Sequence, residues 1–248
     1  QLISLLLFLN NFIVRKFGFL FKYTSQFIAV SGFVKNQHIK SGFDEKKIII
    51  RNNGFPSQSL SDIDDSWLHR DGVTYAGRLS VAKGSRVLKY LIKNLHLDCK
   101  INIIGNGPDL NPLKQFCIEN HFNHVEFFGR LSNKDTLDII KKSVVCVVPS
   151  QCGDSYPTVA LEALSVGTPV VASNLGGLTD IINSSAAGEL ADYGNNNAFV
   201  KSIKGLLNDR SKVKKMGDNG IKYIKENVEA NKQCKELIGI YNRVIKDY

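Results

Sequence analysis

Two rhythms of apolar and polar positions alternate along this chain. Short apolar runs rich in β-branched residues stand at 27–30 (FIAV), 47–50 (KIII), 73–77 (VTYAG), 101–105 (INIIG), 125–129 (VEFFG), 144–150 (VVCVVPS) and 169–173 (PVVAS). Between them lie amphipathic stretches near 83–95, 110–121, 133–142, 158–166 and 177–183, and from about 195 the pattern is helical only. Apolar strands separated by helices of this size predict βαβ units and a parallel sheet covered on both faces, an α/β fold of the doubly wound, Rossmann-like type. Three of the runs end in glycine (Gly77, Gly105, Gly129) and a fourth in Pro149-Ser150. Ligands of such sheets sit at the carboxyl ends of the strands, where these loops fall.

Two stretches stand outside this rhythm. Residues 51–66 (RNNGFPSQSLSDIDDS) are polar and turn-rich and read as a linker between two bodies. At the amino terminus, an uncharged apolar run stops at Val14. A spanning helix takes about twenty apolar residues, so this run is too short to be one. A signal peptide is a poor match, since no basic segment precedes the run and no small-residue cleavage site follows it. Two readings remain, a buried helix belonging to a larger protein and an interfacial helix. The first fits better because the stretch shows little amphipathicity.

Composition narrows the class. With 248 residues, 43% hydrophobic and 22% charged, the chain is that of a soluble globular protein and not a fibrous or disordered one. Its five cysteines (Cys99, Cys117, Cys146, Cys152, Cys234) form no CxxC pair, which points to reduced thiols in a cytoplasmic protein and against a disulfide framework or a metal site. The net charge of +9 is carried by the ends: residues 1–50 contribute +5, 51–200 contribute −2 and 201–248 contribute +6. No basic stripe interleaved with aromatics accompanies it, so nucleic acid is not an expected partner. Basic ends suit an anionic membrane surface, or simply solubility.

The richest chemistry lies in DSYPTVALEALSVGTPVVAS, residues 154–173. Pro157 suits the start of a helix, where its missing N–H costs nothing. The amides around Thr158 and Val159 then have no partner inside the helix, and its dipole draws phosphate to that end. Glu162 follows one turn on, about 6 Å along the axis. That is close to the reach from a nucleotide's phosphate to its ribose hydroxyls, which a carboxylate can accept in pairs. Asp154 precedes the helix, where a sugar on that phosphate would be. The bland alternative puts Glu162 on a solvent face and makes Asp154 a helix cap. Apolar neighbours count against it, because carboxylates are rarely buried without a partner.

The remaining motifs are weaker one by one. In GRLSVAKG (77–84), Arg78 and Lys83 can converge on a pyrophosphate, one as a fork and the other as a point charge. GNGPD (105–109) is a tight turn at Gly105 more often than a cofactor cradle, and lacks the third glycine of a dinucleotide fingerprint. FGRLS (128–132) offers backbone groups to a base edge, and NLGGLTD (174–180) adds two glycines that let backbone come close to a ligand.

In this order the motifs resemble the retaining GT-B glycosyltransferases of family 4, glycosyl transferases group 1, over roughly residues 27–248. The resemblance implies a remnant of the amino-terminal acceptor domain with linker at 1–52, a nucleotide-sugar donor domain at 53–225, and a helix at 226–248 packing back toward the amino-terminal part. It assigns Asp154, Arg78 and Lys83 as the catalytic residues, with the two cations on the donor diphosphate, Gly105 to substrate binding, Gly129, Arg130 and Leu131 to the base pocket, and Glu162 to the ribose. Asp154 falls to the donor sugar, and Ser155, Tyr156, Pro157, Thr158 and Val159 offer backbone amides to sugar and phosphate. Asp154 stands where the family's E-x7-E motif has its first glutamate, a side chain longer by one methylene.

The implied reaction moves a sugar from a UDP- or GDP-sugar to an acceptor hydroxyl with retention, without metal or cofactor. The implied acceptor is a glycan or lipid-linked sugar in polysaccharide or glycolipid synthesis, in the cytoplasm or peripherally at the inner membrane face. Three rivals stay open: a non-catalytic nucleotide-sugar-binding half that needs an acceptor domain or partner chain, another nucleotide enzyme such as a GT-B epimerase or a dehydrogenase, and a membrane-surface interaction protein.

Overall fold

The computed structural model describes residues 4–9, 12, 18, 22–56, 65–95 and 97–246. Two short strands, β1 (Phe27–Ala29) and β2 (Ile48–Ile50), pair in parallel across helix α1 (Gly32–Lys40) as a separate two-stranded sheet. The larger sheet comprises β3 (Val73–Ala76), β4 (Ile101–Ile104), β5 (Val125–Gly129), β6 (Val145–Val148), β7 (Val170–Ser173) and β8 (Gly188–Ala191). Its order is β5-β4-β3-β6-β7-β8, with every neighbouring pair parallel.

Strand alternation divides the apolar residues between two faces. Val73, Tyr75, Ile103, Val145 and Val147 meet Leu88, Leu91 and Ile92 of α2 (Ser85–Asn94), Leu113 of α3 (Leu110–Glu119) and Phe199 and Ile203 of α7 (Asn196–Asn208). Ala76, Ile104, Cys146, Val148, Val170 and Ala172 point the other way. They pack on Ile140 of α4 (Asn133–Lys142), Ala160, Leu161 and Leu164 of α5 (Thr158–Ser165), and Leu178 and Ile181 of α6 (Gly177–Ser185). Helices on both faces of a parallel sheet make the doubly wound fold read from the sequence. The β5–α4–β6 crossover carries the chain back past β3. The resulting reversal between β3 and β6 opens a crevice at their carboxyl ends.

Several expectations need correction. Strand β8 and helix α1 were not among the predicted elements. Residues 51–56, read as linker, are docked: the Phe55 amide donates to the Val228 carbonyl at 2.6 Å and the Ala230 amide to the Phe55 carbonyl at 3.0 Å. Arg51 adds two bonds to the carbonyl of Gln233, at 3.0 and 2.8 Å. Residues 57–64 of that stretch lie outside the described residues. Within the stretch from about 195 that reads as helical only, α8 (Arg210–Tyr223) runs into one π-helical turn, Ile224–Val228, before α9 (Ala230–Lys246).

The amino-terminal run is described only in part. Residues 4–9 and 12 are helical, and within this chain they are not buried: Leu5, Leu6, Leu7, Phe8, Leu9 and Phe12 are 43% to 65% exposed. Among the described residues no helix is long and apolar enough to cross a membrane.

Candidate functional site

A cavity of about 410 Å³ opens at the β3/β6 reversal, lined by residues 75–78, Lys83, Val148, Ser150 and 154–159. Each contribution follows from the local chain. Strand β3 ends at Ala76, and the loop after it carries Arg78, which is exposed, and then Lys83 on a short 3-10 turn, Val81–Lys83. Tyr75 fixes this loop from below by donating its hydroxyl to the carbonyls of Arg78 at 2.9 Å and Lys83 at 3.4 Å. Burial drives the pKa of that phenol upward, so it remains a donor.

From the other side come the residues after β6. The Asp154 carboxylate pairs with the Lys83 ammonium. It also accepts from the Ser150 hydroxyl at 2.8 Å and lies 3.6 Å from the Cys152 thiol. Helix α5 then begins at Thr158 behind Pro157, with no side chain capping its first turn. Its leading amides keep the partial positive charge of a helix start, and Thr158 and Val159 are in the cavity wall. Two cationic side chains and a helix start therefore converge on one crevice, a set suited to a phosphate or diphosphate.

Glu162 lies one turn further along α5, outside the cavity wall. It is half-buried, and burial raises its carboxyl pKa above the ordinary value. The solvent-face alternative therefore does not describe it fully. Its charge also reaches the buried Cys146 thiol beneath the helix, which burial and then Glu162 push up to about 12.

Tyr156 lines the cavity, yet its hydroxyl is engaged elsewhere, taking the Asn52 amide at 2.7 Å and lying 3.3 Å from the Tyr223 hydroxyl. Gly129 ends β5, two strands from the reversal, and Arg130 and Leu131 follow it; none of the three is in the wall. Arg130 is exposed, whereas Leu131 packs on the core below α4 and α5.

Gly105, between the two, is also outside the wall and acts as a buttress. Its amide donates to the Gly129 carbonyl at 2.6 Å, and a Cβ there would lie 1.8 Å from the Gly77 carbonyl oxygen. The glycines of NLGG also let backbone pack on backbone: a Cβ on Gly177 would lie 2.2 Å from the Ser155 carbonyl oxygen. They let α6 seat against the loop carrying Asp154, whose carbonyl accepts from the Gly177 amide at 2.7 Å.

Sequence reasoning missed Tyr75 and Ser150 as parts of the wall. A tyrosine near the carboxyl end of a fully buried strand, VTYA, was the available signal for the first. Also missed was the contact of α1 with the site loop. The Phe33 amide donates to the Asp180 carboxylate at 2.8 Å, and the Phe33 ring lies where a Cβ on Gly153 would come within 2.7 Å. Among the described residues no three or more His, Cys, Asp or Glu side chains gather as metal ligands.

A family model described as Glycosyl transferases group 1 matches residues 69–223. The chain is 29% identical over 222 residues to an uncharacterised glycosyltransferase of Methanocaldococcus jannaschii, covering 89% of this chain and 61% of that protein. It is 24% identical over 152 residues to the N-acetyl-alpha-D-glucosaminyl L-malate synthase of Bacillus anthracis, covering 61% of this chain and 39% of that one. The chain thus spans 61% or less of the length of these two relatives. Among solved structures, Anabaena HepE in complex with UDP superposes with a TM-score of 0.81 at 18% identity, covering 90% of this chain and 65% of that chain. A glycosyltransferase from Rickettsia africae gives a TM-score of 0.80 at 20% identity, covering 93% and 67%. At these identities the likeness is one of fold, that of a GT-B Rossmann-like domain.

Proposed function

Because the chain belongs to the glycosyl transferases group 1 family, we propose that its cavity binds the diphosphate of a UDP- or GDP-sugar and that the whole protein transfers the sugar with retention, as a family 4 enzyme. The observation that carries this reading is the convergence of Arg78, Lys83 and the start of α5 on one crevice at the strand reversal. In the reaction the bond from the anomeric carbon to the β-phosphate oxygen breaks and a bond to the acceptor oxygen forms. The acceptor's proton passes to the departing phosphate. Arg78, Lys83 and the Thr158 and Val159 amides offset the charge that develops there, each such donor contributing about 2.7–4 kcal/mol. That set takes the place of a metal.

Glu162 accepts the ribose hydroxyls, Asp154 those of the sugar, and the loop at 129–131 borders the base. The acceptor is a glycan or lipid-linked sugar, reached at the cytoplasmic face of a membrane. Residues 1–52 belong to the acceptor half, 53–225 to the donor domain, and 226–248 to a helix returning toward the first. A second reading has one observation in its favour. The chain spans 61% or less of those two relatives, so this stretch alone can be a donor-binding half without turnover.

Thermal shift against UDP, GDP, ADP, their sugar conjugates and NAD tests the reading. A ligand at 100 times its Kd adds about 2.7 kcal/mol, roughly 5–10 °C for a domain of this size. One nucleoside diphosphate should give such a shift, reduced in Lys83→Ala and in Glu162→Ala. A shift with NAD alone, or with none of the panel, would overturn the donor site.

A further inference from the structure

Lys83 and Asp154 are the one ion pair in the cavity wall among the described residues, with side chains 38% and 17% exposed. The two partners are held differently. Asp154 is fixed at its carboxylate by Ser150 and at its carbonyl by the Gly177 amide. Lys83 is fixed at its carbonyl by Tyr75, but its ammonium ends a flexible four-carbon stem. An anion drawn in by Arg78 and the start of α5 therefore meets a lysine already claimed by a carboxylate that stays in place.

Resting on the reading that this cavity binds a nucleoside diphosphate, we infer that Asp154 sets its preference for sugar-esterified over free nucleoside diphosphate. A free terminal phosphate, with a second pKa near 6, carries one more negative charge at neutral pH than its ester. It competes with Asp154 for Lys83 and is repelled by the carboxylate at short range. The ester has lost that charge and presents sugar hydroxyls, which donate to a carboxylate that can only accept. One side chain thus opposes the spent nucleotide and favours the loaded one, which speeds product release.

Isothermal titration of UDP and UDP-glucose, or of the pair whose base the protein prefers, into wild type and Asp154→Asn tests this. The amide is the same size and frees Lys83. Free diphosphate should bind the variant about two- to fivefold more tightly, the worth of a partly exposed ion pair, while the sugar conjugate binds no better. Asp154→Glu, which keeps the charge, should keep the preference. Should Asp154→Asn not fold, Lys83→Ala and Lys83→Ala/Asp154→Ala carry the same test, the double variant binding free diphosphate more tightly than the single. Equal or weaker binding of free diphosphate once the Asp154 charge is gone overturns the inference and leaves the donor site standing. Absence of any nucleoside diphosphate binding by wild type overturns both.

Discussion

Glu162 sits where its chemistry and its surroundings oppose each other. Burial raises its carboxyl pKa, so over the range between the unfolded and folded values the native state holds more protons than the unfolded one. Stability from this group accordingly falls as pH rises through that range. Glu162→Gln is expected to raise Tm at pH 7 and to lose that advantage below the ordinary glutamate range, while weakening nucleotide binding at both. Melting curves at pH 4 and pH 7 check this, and an unchanged difference between them would contradict it. Single residues of this kind were legible because each was out of character: a Glu among Ala and Leu, an Arg and a Lys after a strand glycine. Tyr75 and Ser150 were not, because a buried tyrosine and a serine after a strand are ordinary until their hydroxyls are seen to hold Arg78 and Asp154 in place.

Helix α5 is the element on which the site depends, and it is held at its far end. Arg70, only 6% exposed, donates to the carbonyls of Val166 and Gly167 at 2.9 and 2.5 Å and to the Thr168 hydroxyl at 3.0 Å. A cation there satisfies carbonyls that a helix end leaves open and complements its dipole. Arg70→Met should cost about 3 kcal/mol, given the worth of hydrogen bonds to a charged group, lowering Tm by roughly 6–12 °C. A loss within 2 °C would show that the clamp carries no weight. The elements themselves were readable wherever they bury a face. Strand β8, at the sheet edge and spelled GELA, has no apolar run to announce it. Helix α1 buries none of its residues fully and lacks a continuous apolar stripe, so only its Ser31 cap marked it, accepting from the Val34 amide at 3.2 Å.

At the scale of the whole molecule, charge and apolar surface coincide at the amino-terminal end. Residues 1–50 carry +5, and the helical residues 5–9 and 12 expose leucine and phenylalanine side chains. Together these features motivate the membrane contact proposed above, since buried apolar area and attraction to anionic lipid add. Cosedimentation with anionic vesicles at low salt should be marked and should fall as salt is raised; failure to sediment removes the idea. The layout of the sheet was readable from the alternation of runs, whereas the docking of residues 51–56 was not, because turn-forming residues look alike whether free or pinned. That pinning has a topological consequence. The chain enters the six-stranded unit at Phe55 and leaves it at Glu229, and these two residues bridge each other in parallel. The described residues between them thus form a cassette whose ends meet. A cassette of that kind can be exchanged between hosts without rerouting the host chain. On the function proposed above, the nucleotide read by the cassette and the acceptor presented by its host are then free to diversify on separate evolutionary schedules.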